Sequence, residues 1–125
     1  MNTYDVLVVG GGAAGLMAAG AALERGLSVC LFDKNRQLGR KVRITGKGRC
    51  NVTNNCPAEE VVAACPRGGK FLYGALSAFS PQDTMAFFEG LGVPLKTERG
   101  RRVFPVSDSA HDIAGALERA GGEDV

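Results

Sequence analysis

From Val8 to Lys34 the chain reads "VVGGGAAGLMAAGAALERGLSVCLFDK", and the order of glycines, alanines and β-branched residues in it decides the fold. Tyr4 to Val9 is a short apolar run that ends at glycines, as a strand buried on both faces would. Ala13 to Arg25 is alanine-rich, with Leu16, Ala19 and Leu23 on one stripe and Gly26 where a C-terminal cap belongs. Gly15 and Gly20 interrupt this helix, and each calls for close packing or a ligand as its reason. Leu27 to Phe32 is a second strand, ending at Asp33. Strand, helix and strand in so short a span predict a parallel βαβ unit, the start of an α/β, Rossmann-like doubly wound sheet.

Within that unit, Gly10-x-Gly12-x-x-Gly15 stands directly after a strand and opens a helix, and Asp33 follows Gly15 by eighteen positions. Gly10 permits the tight turn, Gly12 removes a side chain that would block a pyrophosphate, and Gly15 lets helix and strand pack closely. The helix N-terminus offers free N–H groups and a positive dipole end to phosphate. Asp33 is placed to accept hydrogen bonds from the ribose hydroxyls of an adenosine half. FAD and NAD both use this geometry. A fingerprint within the first fifteen residues favours FAD; Asp33 argues against a 2′-phosphate, while Lys34 and Arg36 beside it leave NADP open.

Working outward, the chain has 125 residues, 45% of them hydrophobic and 22% charged, which describes one ordinary globular domain and argues against two. Eighteen glycines are an excess, clustered as if in loops that approach something closely. The net charge of +2 forces neither a nucleic-acid nor a membrane reading. No apolar run is long enough to span a bilayer, and no signal-peptide pattern opens the chain, so a cytoplasmic location is expected. Cys50, Cys56 and Cys65 match no zinc spacing, and no metal is expected.

Gly39 to Asn54, "GRKVRITGKGRCNVTN", holds five cations and three glycines with little hydrophobic period. A Walker A reading fails on spacing and on Gly48, which stands where Ser or Thr is needed. Nucleic-acid binding would want stacking aromatics that the loop lacks. A solvated loop remains open, as does a loop whose N–H groups and cations reach a pyrophosphate or a flavin ring. Beyond it, an amphipathic helix is expected over Lys70 to Phe79. A second helix is expected from Ser80, with "SPQD" as its cap and Met85, Phe87 and Phe88 buried. "PLKTERGRRVFPV" reads as a hairpin turning at Arg99 and Gly100, and Ser107 to Arg119 as a last helix. No second buried strand run follows Phe32, so the chain looks like the opening part of a larger sheet. Among single residues, Cys50 has flanking cations that would lower its pKa, against the plainer reading of a packed thiol. His111 reads as surface, and the hairpin cations Lys96, Arg99, Arg101 and Arg102 as solvated or as a site for an anionic substrate.

The segments "DVLVVGGGAAGLMAA", "GRKVRITGKGRCNVTN" and "FSPQDTMAFFEGLGVPLKTERGRRVFPVSDSAHDIAGAL" together resemble the N-terminal part of the HI0933-like flavoproteins, the aminoacetone oxidase-like or BaiN-like FAD-dependent oxidoreductases. The resemblance covers nearly the whole chain, and the long basic motif is its specific part. It implies that residues 1–125 are the N-terminal portion of an FAD/NAD(P)-binding domain, with the substrate domain and the rest of the FAD domain absent. It also implies flavin-dependent redox chemistry, with reduction of enone double bonds in some relatives. By position it places Gly10, Gly12, Ala13, Ala14 and Gly15 at the pyrophosphate and Asp33 and Lys34 at the adenosine ribose. Lys41, Thr45, Gly46, Arg49, Cys50 and Asn51 fall on the flavin side. Asp33 departs from the glutamate common in such proteins. The expected reaction is hydride transfer from NAD(P)H through flavin N5 to a small-molecule acceptor. A stand-alone dinucleotide-binding module and a tRNA-modifying flavoprotein are the alternatives.

Overall fold

The computed structural model describes residues 2–122. Along the chain run β1 (Val6–Val9), α1 (Ala13–Glu24), β2 (Val29–Phe32), α2 (Arg40–Ile44), β3 (Thr53–Asn54), α3 (Ala58–Ala64), α4 (Tyr73–Ala78), α5 (Pro81–Gly90), β4 (Leu95–Glu98), β5 (Arg102–Pro105) and α6 (Ala110–Ala120). Asn51–Ser107 forms one compact unit, and the described residues on either side of it form another. Composition had argued for one domain.

In the first unit β1 and β2 pair in parallel, from Val6 opposite Val29 to Val9 opposite Phe32, and α1 connects them as the βαβ pattern predicts. Val8 and Leu31 are buried beneath α1 together with Leu16 and Ala19. The expectation of strands covered on both faces is corrected: Leu7, Phe32 and Val9, the last 87% exposed, lie bare on the opposite face. Among the described residues only β1 and β2 form this sheet, so one helical layer shields one side. On the α1 stripe Leu23 is exposed and Ala22 is buried in its place. Gly20 has its packing reason, since a Cβ there would come 2.8 Å from the Ala120 carbonyl oxygen. The backbone of α1 thus meets the end of α6, whose Ile113, Ala114 and Leu117 are buried. Ser109 holds the N-cap position of α6 without a side-chain cap hydrogen bond, and the helix ends at Ala120 with Gly121 as its C-cap.

The second unit is built on the antiparallel order β3-β5-β4. The hairpin read from the sequence is present, with Leu95 opposite Pro105 and Glu98 opposite Arg102. Val103, Phe104, Phe88 and Val93 are buried in this unit. The start of α5 is as expected: the Ser80 hydroxyl accepts from the Asp83 N–H at 3.1 Å, and the Asp83 carboxylate accepts from the Ser80 N–H at 2.9 Å, a reciprocal cap that satisfies two otherwise orphaned donors. The helix expected over Lys70 to Phe79 is corrected. Gly69–Leu72 is a 3-10 turn and only Tyr73–Ala78 is α-helical. Phe71 is 89% exposed, and Tyr73 and Phe79 are exposed too. The apolar spacing there is real, but it is packed at its end, where Phe79 meets Phe87 of α5 edge-to-face at 6.1 Å between ring centroids, while Phe71 stays bare.

Candidate functional site

Gly10 follows β1 with φ +103, a backbone open to glycine at little cost, and its N–H donates to the Phe32 carbonyl at 2.7 Å. A Cβ on Gly15 would lie 1.8 Å from the Gly10 carbonyl oxygen, so only glycine lets α1 start against β1. Gly12 is the N-cap of α1, and a Cβ there would meet nothing within 4 Å. That open space is what an approaching phosphate needs. Ala13 and Ala14 are exposed, and the first turn of α1 carries neither a side-chain cap nor an acidic residue. Its N–H groups and positive dipole end are left for an anion.

Asp33 closes the turn from the other strand. Its Oδ2 accepts from the Gly11 N–H at 2.7 Å and its Oδ1 from the Asn35 N–H at 2.6 Å. The Asn35 and Gly11 N–H groups hold its carboxyl below the ordinary carboxylate range. Each oxygen keeps acceptor capacity for a ribose hydroxyl, but the first duty of Asp33 is to the fingerprint itself. Gly11, to which the spacing argument gave no role, is buried, and a Cβ on it would come 2.5 Å from Leu38 Cδ2. Beside Asp33 a cleft of about 540 Å³ is bordered by Leu31, Arg36, Gln37, Leu38 and Arg43.

The basic segment is anchored to this turn, because the Gly39 N–H donates to the Gly11 carbonyl at 2.8 Å. Where the sequence suggested a loop, Arg40–Ile44 is a short helix. Lys41 and Lys34 are exposed, and the Thr45 hydroxyl donates to the Val42 carbonyl at 2.7 Å. Gly46, Lys47, Gly48 and Cys50 all have positive φ, at 57, 57, 86 and 60°. Arg49 is ion-paired to Asp108, with Nε at 2.9 Å and Nη2 at 2.7 Å from Oδ1. Cys50 is 6% exposed, and burial pushes its thiol up against a smaller lowering by the Thr45 hydroxyl. Of the two readings of Cys50, the packed thiol is the one the structure bears out and the cation-lowered pKa the one it overturns: the thiol lies in the interior, and Arg49 is paired with Asp108. Asn51 belongs to the second unit, where its side-chain amide donates to the Thr53 carbonyl at 3.0 Å and the Val103 carbonyl at 3.2 Å.

The structure thus gathers Gly10, Gly12, Ala13, Ala14, Gly15 and Asp33 at one end of the parallel strands, with the Gly39 to Cys50 segment tied to them. Sequence reasoning passed over Gly11 and Arg43. The triple glycine was a signal for the first; the second had none nearby, since its partner Glu118 lies 75 residues away. His111, read as surface, is exposed, with Nδ1 at 2.9 Å from Arg43 Nη1. Among the described residues no helix is long and apolar enough to cross a membrane.

A parallel βαβ unit whose glycine turn opens onto a bare helix N-terminus and is closed by an acid on the second strand defines a Rossmann-type dinucleotide-binding fold. Residues 4–123 match the HI0933-like protein Rossmann domain, and the chain belongs to that family. It is 36% identical over 115 residues, 89% of its length, to the 3-dehydro-bile acid delta(4,6)-reductase of Clostridium scindens. It is 31% identical over 117 residues, 94% of its length, to the ribosomal RNA dihydrouridine synthase of Escherichia coli. A digeranylgeranylglycerophospholipid reductase of Methanoculleus marisnigri is 50% identical over 42 residues, 34% of this chain and 11% of that protein. The chain spans 27% and 28% of the first two relatives.

Proposed function

We propose that this chain is the FAD-binding portion of a flavin-dependent oxidoreductase of the cytoplasm, which takes its electrons from NAD(P)H and saturates a carbon-carbon double bond in a small organic acceptor. The observation that carries the reading is the glycine turn: Gly12 leaves an unobstructed approach to the uncapped N-terminus of α1. Gly10, Gly12, Ala13, Ala14 and Gly15 would hold the pyrophosphate, and Asp33 with Lys34 the ribose. Lys41, Thr45, Gly46, Arg49, Cys50 and Asn51 would line the flavin side. When bound, the flavin supplies hydride transfer through its N5 atom. The residues of this chain bind and orient, and none of them is assigned as a proton donor. Support for the acceptor class comes from the relatives' names, a bile-acid delta(4,6)-reductase and a dihydrouridine synthase, since both describe saturation of a conjugated double bond.

The test is to purify the chain, titrate it with FAD and compare Gly12→Val. The wild type should retain flavin, and the variant should lose at least about tenfold in affinity while its circular dichroism is unchanged, because its side chain fills space that only the phosphate uses. Flavin binding that survives in Gly12→Val sinks the assignment. A second reading, reduction of a uridine base in RNA, draws on the Escherichia coli relative that matches 94% of this chain. Supplying the complete protein with a conjugated enone or with RNA, and following NAD(P)H consumption, separates the two.

A further inference from the structure

Arg43 is the charged side chain of the basic segment that turns inward. Only 12% of it is exposed, and its Nη2 pairs with Glu118 Oε1 on α6. Its Nε donates to the Leu38 carbonyl at 3.1 Å. That carbonyl belongs to the same peptide group as the Gly39 N–H, and the Gly39 N–H donates to the Gly11 carbonyl at 2.8 Å. The next peptide group towards the N-terminus ends in the Gly11 N–H, which is held by Asp33 at 2.7 Å. A continuous line therefore runs from the Glu118 carboxylate through the Arg43 guanidinium, the Leu38–Gly39 peptide and Gly11 to the Asp33 carboxylate. A guanidinium on the oxygen of a peptide polarises its N–H and strengthens the bond that N–H makes.

We infer that Arg43 is a positioning residue of the nucleotide turn: by gripping the Leu38–Gly39 peptide it fixes the Gly11 peptide, and so the aim of the N–H groups that follow at Gly12 and Ala13. This deepens the cofactor reading and rests on it for its bearing on binding. The fork matters as well as the charge, because one guanidinium reaches Leu38 O and Glu118 together, and a lysine ammonium offers no such planar pair of donors.

The test is residue-resolved amide exchange on the chain, read beside ADP affinity, for wild type, Arg43→Met, Arg43→Lys and Glu118→Gln. In Arg43→Met, exchange at Gly39 and Gly11 should rise about tenfold, the scale of one lost hydrogen bond, while Val8 and Leu31 in the strands stay protected. ADP should bind several-fold more weakly. Arg43→Lys should recover only part of this. Glu118→Gln should shift the same amides in the same direction by less, and it decides the matter if Arg43→Met fails to fold. Unchanged exchange at Gly39, an equal rise throughout the unit, or ADP affinity untouched in the variants overturns the assignment. A wild-type chain that ignores ADP, with the selective rise still present in the variants, keeps the positioning role and removes the cofactor reading instead.

Discussion

At Gly15 an added Cβ would lie 1.8 Å from a backbone oxygen, whereas at Gly48 it would meet nothing within 4 Å. Both glycines belong to glycine-rich segments of one unit, yet the fingerprint turn needs glycine because two backbones touch, and the basic segment needs it because the chain turns left-handed. The fingerprint concentrates its demand on space. The basic segment spreads its demand over dihedral angles, at Gly46 and Gly48 but also at Lys47 and Cys50, which hold φ 57 and 60° despite their side chains. Strain of that kind persists where surroundings over-determine it, and here the surroundings are the Arg49–Asp108 pair and the buried Cys50.

The contrast can be broken in order of effect. Gly15→Ala should cost about 3 kcal/mol or more, since backbone cannot move aside as a flexible side chain can; a near-normal urea midpoint would show that α1 can slide from β1. Gly48→Ala should cost only about 1–2 kcal/mol, the penalty of a left-handed residue with a Cβ, and Lys47→Gly should be neutral or slightly stabilising in the same denaturation assay. If both glycine variants cost the same, the distinction between contact and dihedral fails.

Smaller effects sharpen it. Cys50 should react with iodoacetamide at pH 8 at least about tenfold more slowly than in the urea-unfolded chain, because thiolate is the reactive form and burial opposes it. A rate equal to that of the unfolded chain would mean an open loop. Asp33 has a native pKa below its ordinary value. Its contribution to stability is therefore complete above the unfolded carboxylate pKa, and is lost as pH falls through the lowered native value. In Asp33→Asn the thermal midpoint should lose part of its decline as pH falls below the ordinary carboxylate value of about 4, a decline that Asp5, also lowered through Ser28, keeps in part.

What the sequence made legible follows the range of the interactions. The βαβ unit, the reciprocal cap at Ser80 and Asp83 and the hairpin at Arg99 and Gly100 are set by residues within a few positions of one another, or by strong apolar runs, and they were readable. α2 was not: its five residues have no hydrophobic period, and it is held by Arg43 reaching Glu118 across 75 residues. β3 has two residues, too few for any alternation, and exists because β5 offers an edge. Phe71 carried a helical period that predicted burial, but period reports which side chains share a face, not whether anything covers it. In the site, glycine spacing marked Gly10 and Gly15 as positions the backbone reserves for glycine, one by φ +103 and the other by a Cβ that would lie 1.8 Å from a backbone oxygen, whereas Gly12 has room for a side chain; the pKa direction of Cys50 depended on burial, which flanking cations do not reveal.

The interruption of the first unit by Asn51–Ser107 bears on the order in which a ribosome delivers the protein. When Ser107 emerges, every residue of the second unit is available, including both strands of its hairpin and the cap of α5. The first unit, although begun earlier, still lacks α6, so Leu16 and the bare backbone at Gly20 have no cover. At ~5–20 residues per second, that surface waits on the order of several seconds after β2 is made. That face of α1 thus stays uncovered while the second unit is completed, and slowed translation between Asn51 and Ser107 should lengthen its exposure.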